Sequence, residues 1–354
     1  MEINLRSLEN AAYSVPLLGL KSCLDLNLIK FIFNVQQGTA SELVDANQIL
    51  MKFQDVFNGI GRFPGKYHIS LKDDVEPVVN GARNFPISIR DKVKATLDDM
   101  EANGIIVKVD EPTDWVHSAH PVPKGDGTYR IVLDPRHLNK AIRREHFQMP
   151  TLQDVTSQLA NQKLFSVFDV KSSFWQIELD HQSSLLTTHI TPFGRYSYLR
   201  MPMGISSAGE VFQKRLEQVF EGVPGVYNLV DDILVTGSSV EEHNERLELM
   251  FSRARANGVK FNREKTQLCS TEVKFFGEIL SSVGIRPDSS KVEDVKNMPS
   301  PQNAKDLQCY LGMFTYLSQF CPKLSARTAI LRDLLGVRFR LEVDRRTRGG
   351  FPGH

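Results

Sequence analysis

The chain has 354 residues, room for two ordinary domains, and its 41% hydrophobic and 24% charged residues are the balance of a folded globular chain, not a disordered one. Lys and Arg number 43 against 42 Asp and Glu, a formal charge of +1, so any nucleic-acid site has to be a local basic channel and not a basic whole. Four scattered cysteines, Cys23, Cys269, Cys309 and Cys321, form no C-x-x-C pair, which argues against a zinc ribbon or a disulfide framework. No apolar stretch approaches the ~20 residues of a membrane span, and the polar start, Met1 to Asn10, does not read as a signal peptide. An intracellular setting, without a membrane partner, is the expectation.

In chain order, residues 1 to about 50 hold an apolar patch, Val15–Leu20 and Leu24–Val35, then a polar stretch without period; this zone is expected to lack a core of its own. From about 85 to 335, helix and strand signals alternate. Ile89, Val93, Leu97 and Met100 share one face of a helix predicted over Ile89–Asn103, with Ser88 as N-cap, Asp91 three residues on, and Gly104 as the stop. A second helix begins at a Thr151 cap and ends near Ala160, the apolar run Leu164–Val170 reads as a strand, and a third helix spans Ala208–Glu221. Val226–Val230 and Ile233–Thr236 are apolar runs separated only by Asp231 and Asp232, a tight hairpin with acids at its turn. Ser239 and Glu242 form a capping box for a helix whose face is Val240, Leu247, Met250, Phe251 and Ala254, stopped by Gly258. Val273–Leu280 is a strand candidate, and a helix opened by Ser300 and Pro301 carries Leu307, Leu311, Phe314 and Leu317. Strands and helices mixed in this way, with an antiparallel hairpin, imply an α+β fold.

Two adjacent carboxylates between apolar strands are costly unless a cation is present. A third acid, Asp169, ends the apolar run in F-S-V-F-D-V-K-S-S-F. Strand ends bearing three carboxylates could hold two magnesium ions roughly 3.5 to 4 Å apart, the arrangement that serves phosphoryl transfer. Taken alone, D-D is more often simply a polar hairpin turn.

The ordered company of these acids decides between the two. From Gly125 to Gly277 the chain reads G-D-G-T-Y-R-I-V-L-D-P-R-H-L-N-K, F-D-V-K-S-S-F-W-Q-I, T-P-F-G-R-Y-S-Y-L-R-M-P-M-G-I-S-S-A-G-E-V-F-Q, V-D-D-I-L-V, F-N-R-E-K and F-F-G. Over about residues 85–335 this series resembles the reverse transcriptase domain of gypsy-like LTR retrotransposon Pol polyproteins. The resemblance implies a right-hand polymerase fold, with fingers and an antiparallel palm sheet over 85–285 and the start of a thumb and connection over 286–335. It implies an RNA-directed DNA polymerase that uses two Mg2+ ions and deoxynucleoside triphosphates on a primed RNA or DNA template. The primer 3′-hydroxyl would attack the α-phosphate, and Asp169, Asp231 and Asp232 match the catalytic, metal-binding acids.

Further roles follow from the same resemblance. Arg130 aligns with a fingers arginine that neutralises the incoming triphosphate, and Lys124 is a second cation there. Phe174 falls where the family places an aromatic under the sugar, a ring that would exclude a 2′-OH. Met203 and Gly204 in M-P-M-G match the segment under the nucleotide and template, with Gly204 permitting close backbone approach. Lys265 matches a lysine on the pyrophosphate side, and Phe276 with Gly277 match the hairpin that grips the primer. The chain departs from the family at Leu229, where a tyrosine is common, and at Gly209, where proline is usual; neither touches a carboxylate. His117 and His120 make an H-x-x-H without further ligands and read as a surface loop. Gly59 and Gly61 likewise read as a loop.

At the ends, Val15–Lys30 resembles the closing segment of the aspartic protease that precedes reverse transcriptase in such polyproteins. Residues 1–33 are then a protease remnant without the catalytic D-[ST]-G, and 34–84 a connector. From 336 to 354 the chain turns Arg-rich and aperiodic where the family continues into W-x-W-T-x-x-H-x-x-A-F. Codons can be chosen for Leu341 to His354 that, read one base later, give W-R-W-T-D-E-H-E-E-A-F-Q-D, so the tail is expected to be frameshifted and disordered. The element would act in cytoplasm or nucleus, or in a virus-like particle if active. The alternative is a catalytically silent remnant that keeps the fold and at most binds nucleic acid; a small-molecule phosphotransferase explains none of the fingers or primer motifs.

Overall fold

The computed structural model describes residues 40–125 and 127–320, together with 324, 328, 329, 332 and 335. The expected protease remnant at 1–33 and the tail at 336–354 lie outside the described residues. The chain divides into two compact units: 36–276 with 280–285, and a smaller one that includes 277–279 and the residues from 286 onward.

The first half of the larger unit runs α1 (Ala40–Lys52), α2 (Ile87–Ala102), β1 (Ile106–Lys108), β2 (His117–Pro123), β3 (Tyr129–Asp134), α3 (Arg136–Ala141) and α4 (Leu152–Thr156). There follow β4 (Leu164–Asp169), α5 (His181–Leu186), β5 (His189–Thr191), β6 (Gly194–Tyr198), α6 (Ala208–Phe220), β7 (Val226–Leu229), β8 (Asp232–Gly237), α7 (Val240–Ala256) and β9 (Gln267–Ser270). The chain continues through β10 (Glu272–Phe275), β11 (Glu278–Ser281), β12 (Gly284–Pro287), α8 (Ser289–Lys296) and α9 (Ala304–Leu317). The fold is α+β, as expected. Among the described residues no helix is long and apolar enough to cross a membrane.

A five-stranded sheet has the order β1-β6-β5-β2-β3, antiparallel except for the β2–β5 pair. Helix α2 covers it, burying Val93, Leu97 and Met100 against Ile106, Ala119, Ile131, Tyr196 and Tyr198. The helix starts earlier than the expected Ser88 cap: Pro86 holds the N-cap position, where its missing N–H costs nothing. His117 and His120 are not on a surface loop. They lie in β2, three residues apart and so on opposite faces, with His117 fully buried and bonded through Nε2 to the Leu186 carbonyl at 2.9 Å.

A four-stranded antiparallel sheet has the order β7-β8-β4-β9. Its two central strands, β4 and β8, are buried on both faces, so β4 reads as a nearly continuous apolar run and not an alternating one. Phe168 of β4 with Ile233 and Val235 of β8 faces α6 and α7, while Phe165, Val167 and Leu234 face Val155, Val273 and Phe275. The capping box at Thr151 and Asp154 forms, but its helix stops at Thr156, short of Ala160. The segment from 46 to 69 supplies core to this unit: Ala46, Ile49, Leu50, Phe53, Val56, Phe57, Phe63 and Ile69 are buried with residues of the four-stranded sheet, α6 and α7, and Phe53 stacks on Phe251 at 5.5 Å.

The predicted strand Val273–Leu280 is broken at Phe276 and Gly277. Both take positive φ, +48° and +80°, which is the geometry of a two-residue hairpin turn. In the smaller unit, α9 starts at Ala304 behind an Asn303 cap, three residues after the expected Pro301, and packs Tyr310, Phe314 and Leu317 against Val295.

Candidate active site

Antiparallel pairing of β4 with β8 runs Phe168 opposite Ile233 and Asp169 opposite Asp232. Directly opposed residues project on the same face, so the register sets these two carboxylates side by side, beyond the apolar Val167 and Leu234. Asp231 sits in the turn immediately before, and its carbonyl accepts the Val170 N–H at 2.7 Å, tying the turn to the end of β4. Burial pushes the Asp232 carboxyl up to about 6; the charges of Asp231 and Asp169 add to the rise, and a Phe276 backbone N–H and Lys265 partly offset it. Burial likewise raises Asp231, with the Asp169 charge adding to it. Lys265 Nζ stands 2.9 Å from Asp169 Oδ2 as the counter-charge.

Oxygen-only donors suit a hard divalent cation, and two partly buried carboxyls, raised by burial and by the Asp169 charge beside them, are an electrostatic demand for one. The chemistry of the donor set therefore fits a hard divalent cation. Among the described residues no three acids are drawn together as a finished metal shell, and Lys265 fills part of the space around Asp169.

Gln213 has no role assigned from sequence, yet it holds the acidic hairpin. It is fully buried on α6, and its Oε1 accepts the Val230 N–H at 2.7 Å while its Nε2 donates to the Asn228 carbonyl at 3.0 Å. The clamp brackets Leu229 and fixes Val230 at φ +56°, a left-handed conformation that a β-branched residue rarely adopts. Its signal in the sequence was a polar residue on the otherwise apolar face of Val211, Phe212 and Leu216.

The remaining residues fall into separate groups. Phe174 lies in a 3-10 turn, Ser173–Gln176, five residues beyond Asp169; it is half-buried and meets Phe212 edge-on at 5.6 Å. Gly204 takes φ +104°, and a Cβ there would come within 2.9 Å of the Leu133 carbonyl. Asn139 of α3 donates to the Gly204 carbonyl at 2.8 Å, so the Met203–Gly204 segment is fastened to the helix that follows the strand carrying Arg130. Arg130 is exposed on β3 opposite Val122, and Lys124 closes the β2–β3 turn, its N–H bonded to the Thr128 carbonyl at 2.8 Å. Among the described residues neither cation is paired with a carboxylate, and the structure does not bring either to the three acids. Phe276 is 50% exposed at its turn, and its backbone is the part that reaches Asp232. Leu229 is buried opposite Asp232, and Gly209 has open space where proline would stand.

Residues 122–280 match the family model described as reverse transcriptase (RNA-dependent DNA polymerase). Over 250 residues the chain is 29% identical to the retrovirus-related Pol polyprotein from transposon opus of Drosophila melanogaster, a match over 69% of this chain and 25% of the polyprotein. It is 26% identical over 291 residues to the Pol polyprotein from transposon 297 of the same fly, covering 78% of this chain and 28% of that one. It is also 30% identical over 229 residues to the enzymatic polyprotein of Cauliflower mosaic virus (strain Strasbourg), 62% of this chain and 33% of that one. The chain thus spans a third or less of each of these relatives. In solved structures the fold is shared with a foamy viral protease-reverse transcriptase in complex with double-stranded DNA, at TM-score 0.78 and 23% identity, over 89% of this chain and 59% of that one. The order of motifs, the opposed strand-end carboxylates and the match over residues 122–280 converge on a reverse transcriptase domain in that segment, similar to the corresponding part of the Pol polyproteins of retrovirus-related transposons.

Proposed function

We propose that this chain is an RNA-directed DNA polymerase that extends a primer by two-magnesium nucleotidyl transfer. The observation that carries the reading is the pairing of Asp169 with Asp232, with Asp231 in the adjoining turn. Asp169, Asp231 and Asp232 would hold the ions, and bound magnesium supplies activation of the primer 3′-hydroxyl and neutralisation of the departing pyrophosphate. The chain's own residues do the rest. Arg130 and Lys124 on the β2–β3 hairpin neutralise the triphosphate, and Lys265 moves from Asp169 towards it. Phe174, braced by Phe212, presents its free face to the sugar and rejects a 2′-OH by volume, while Met203 and Gly204 form the floor under the base. The turn at Phe276 and Gly277 carries the primer end. Residues 85–285 act as fingers and palm, and those from 286 begin the thumb.

The test is primer extension on poly(rA) with oligo(dT) and Mg2+, comparing the chain with Asp231→Asn. We expect incorporation by the first and a loss of roughly a hundredfold or more in the second, as for other residues that act in the transition state. Equal incorporation by both would remove the metal-site assignment, and none by either would favour the silent remnant.

A further inference from the structure

In the smaller unit, Lys291 of α8, Tyr316 of α9 and Glu278 of β11 form a polar chain that the active site leaves unused. The Tyr316 hydroxyl donates to Glu278 Oε1 and accepts from Lys291 Nζ at 3.0 Å. Lys291 Nζ also lies 4.7 Å above the Tyr316 ring and 4.0 Å from Glu278 Oε1. A lysine tip is ordinarily free to wander on its four-carbon stem; here a hydrogen bond and a ring face hold it.

The polarity of the chain runs outward. Glu278's side chain is 4% exposed and that of Lys291 is 40%, so the negative end is sealed inside and the positive end meets solvent. The other acid nearby, Asp288, is itself buried and caps its own helix through the Ser290 N–H at 3.1 Å. The ammonium stands against the hairpin turn: a Cβ on Gly277 would come within 2.7 Å of Nζ. Tyr316 takes one of its three N–H groups, and among the described residues no hydrogen bond uses the other two. A fixed, half-exposed cation at a turn without a side chain to cover it is suited to an anion that approaches the backbone closely.

We infer that Lys291 contacts a backbone phosphate of the nucleic-acid strand that passes over the Phe276–Gly277 turn, and that Tyr316 and Glu278 are the positioning residues that aim it. This inference rests on the polymerase reading. A compact point charge with no base-edge partner beside it contributes affinity and register but no sequence preference.

The test is the salt dependence of binding of the full chain to a primer–template duplex. Lys291→Gln should lower the slope of log affinity against log salt by about one, uniformly across duplex sequences, and Lys291→Arg should keep it. In the unmodified chain, bound duplex should protect Lys291 from acetylation several-fold, a readout that needs no variant to fold. A Lys291→Gln slope equal to that of the unmodified chain, or acetylation of Lys291 that is the same with and without duplex, would overturn the inference and leave the polymerase reading standing. If the unmodified chain binds no duplex, both fall.

Discussion

Val230 shows how a single residue can store strain next to the chemistry. Valine at φ +56° costs on the order of 1–2 kcal/mol, and the Gln213 carboxamide holds it there by pairing the Val230 N–H. Gln213→Ala leaves that half-buried donor without its partner, a further loss of about 1 kcal/mol, and lets the turn relax away from the position that Asp231 and Asp232 need. Primer extension by Gln213→Ala should fall roughly tenfold to a hundredfold in kcat, with the nucleotide KM little changed. Adding Val230→Gly, which removes the strain, should restore part of it. A full rate in Gln213→Ala, or no recovery in the double variant, would show that the clamp does not position the acids. The acids themselves were legible in the sequence because charge between apolar strands has few explanations. Gln213 was not, because a buried polar residue declares its partner only once the helix has been packed on the hairpin.

At the scale of the element, strand pairing creates the electrostatic problem that defines the site. Opposing Asp169 to Asp232 places a carboxyl where burial, with the like charges of Asp231 and Asp169 adding to it, raises Asp232 to about 6 from an ordinary value of 3.8. Because the folded value lies above the unfolded one, this group favours the fold below about pH 3.8, and that contribution is lost as pH rises through about 6. At pH 7 without metal the ionised pair is a liability. Asp232→Asn should therefore raise the melting temperature of the metal-free chain by a few degrees, on the order of 1 kcal/mol after allowing for solvent screening. Magnesium should narrow the difference by stabilising only the unmodified chain. A variant that melts lower than the unmodified chain in chelator at pH 7 would contradict this account. Long elements with a full period, such as α2, α6 and α7, could be read from the sequence to within a residue or two. The three-residue strands β1 and β5 could not, since three residues carry no period, and β10 and β11 merged because the positive φ of Phe276 left no mark in the residue type.

Across the larger unit, the polar connector and the histidines show what composition conceals. Residues 34 to 84 read as no more than a connector, yet their scattered Phe53, Phe57 and Phe63 complete the core on which α7 sits. His117 reads from the sequence as a surface group, and it is sealed inside together with His189 and His243. His189 is wholly buried between Tyr196 and Tyr198 with its Nε2 unpartnered, and burial lowers it to about 4. His243, buried under β4 and bonded through Nε2 to the Ser166 hydroxyl at 3.0 Å, is also lowered to about 4, and burial lowers His117 as well. Their folded values lie below the unfolded 6.5, so between about pH 6.5 and 4 the unfolded chain binds protons that the folded chain refuses, and stability falls as the pH falls. Over that window His189 alone should cost on the order of 2 kcal/mol, opposite in sign to the gain from protonating Asp232. His189→Phe keeps the ring between the two tyrosines and removes the titration. Its melting temperature should lie near that of the unmodified chain at pH 7.5 and increasingly above it towards pH 5. Parallel melting curves for the two proteins across that range would mean that His189 stays neutral or protonated alike in both states, and that acid sensitivity comes from elsewhere.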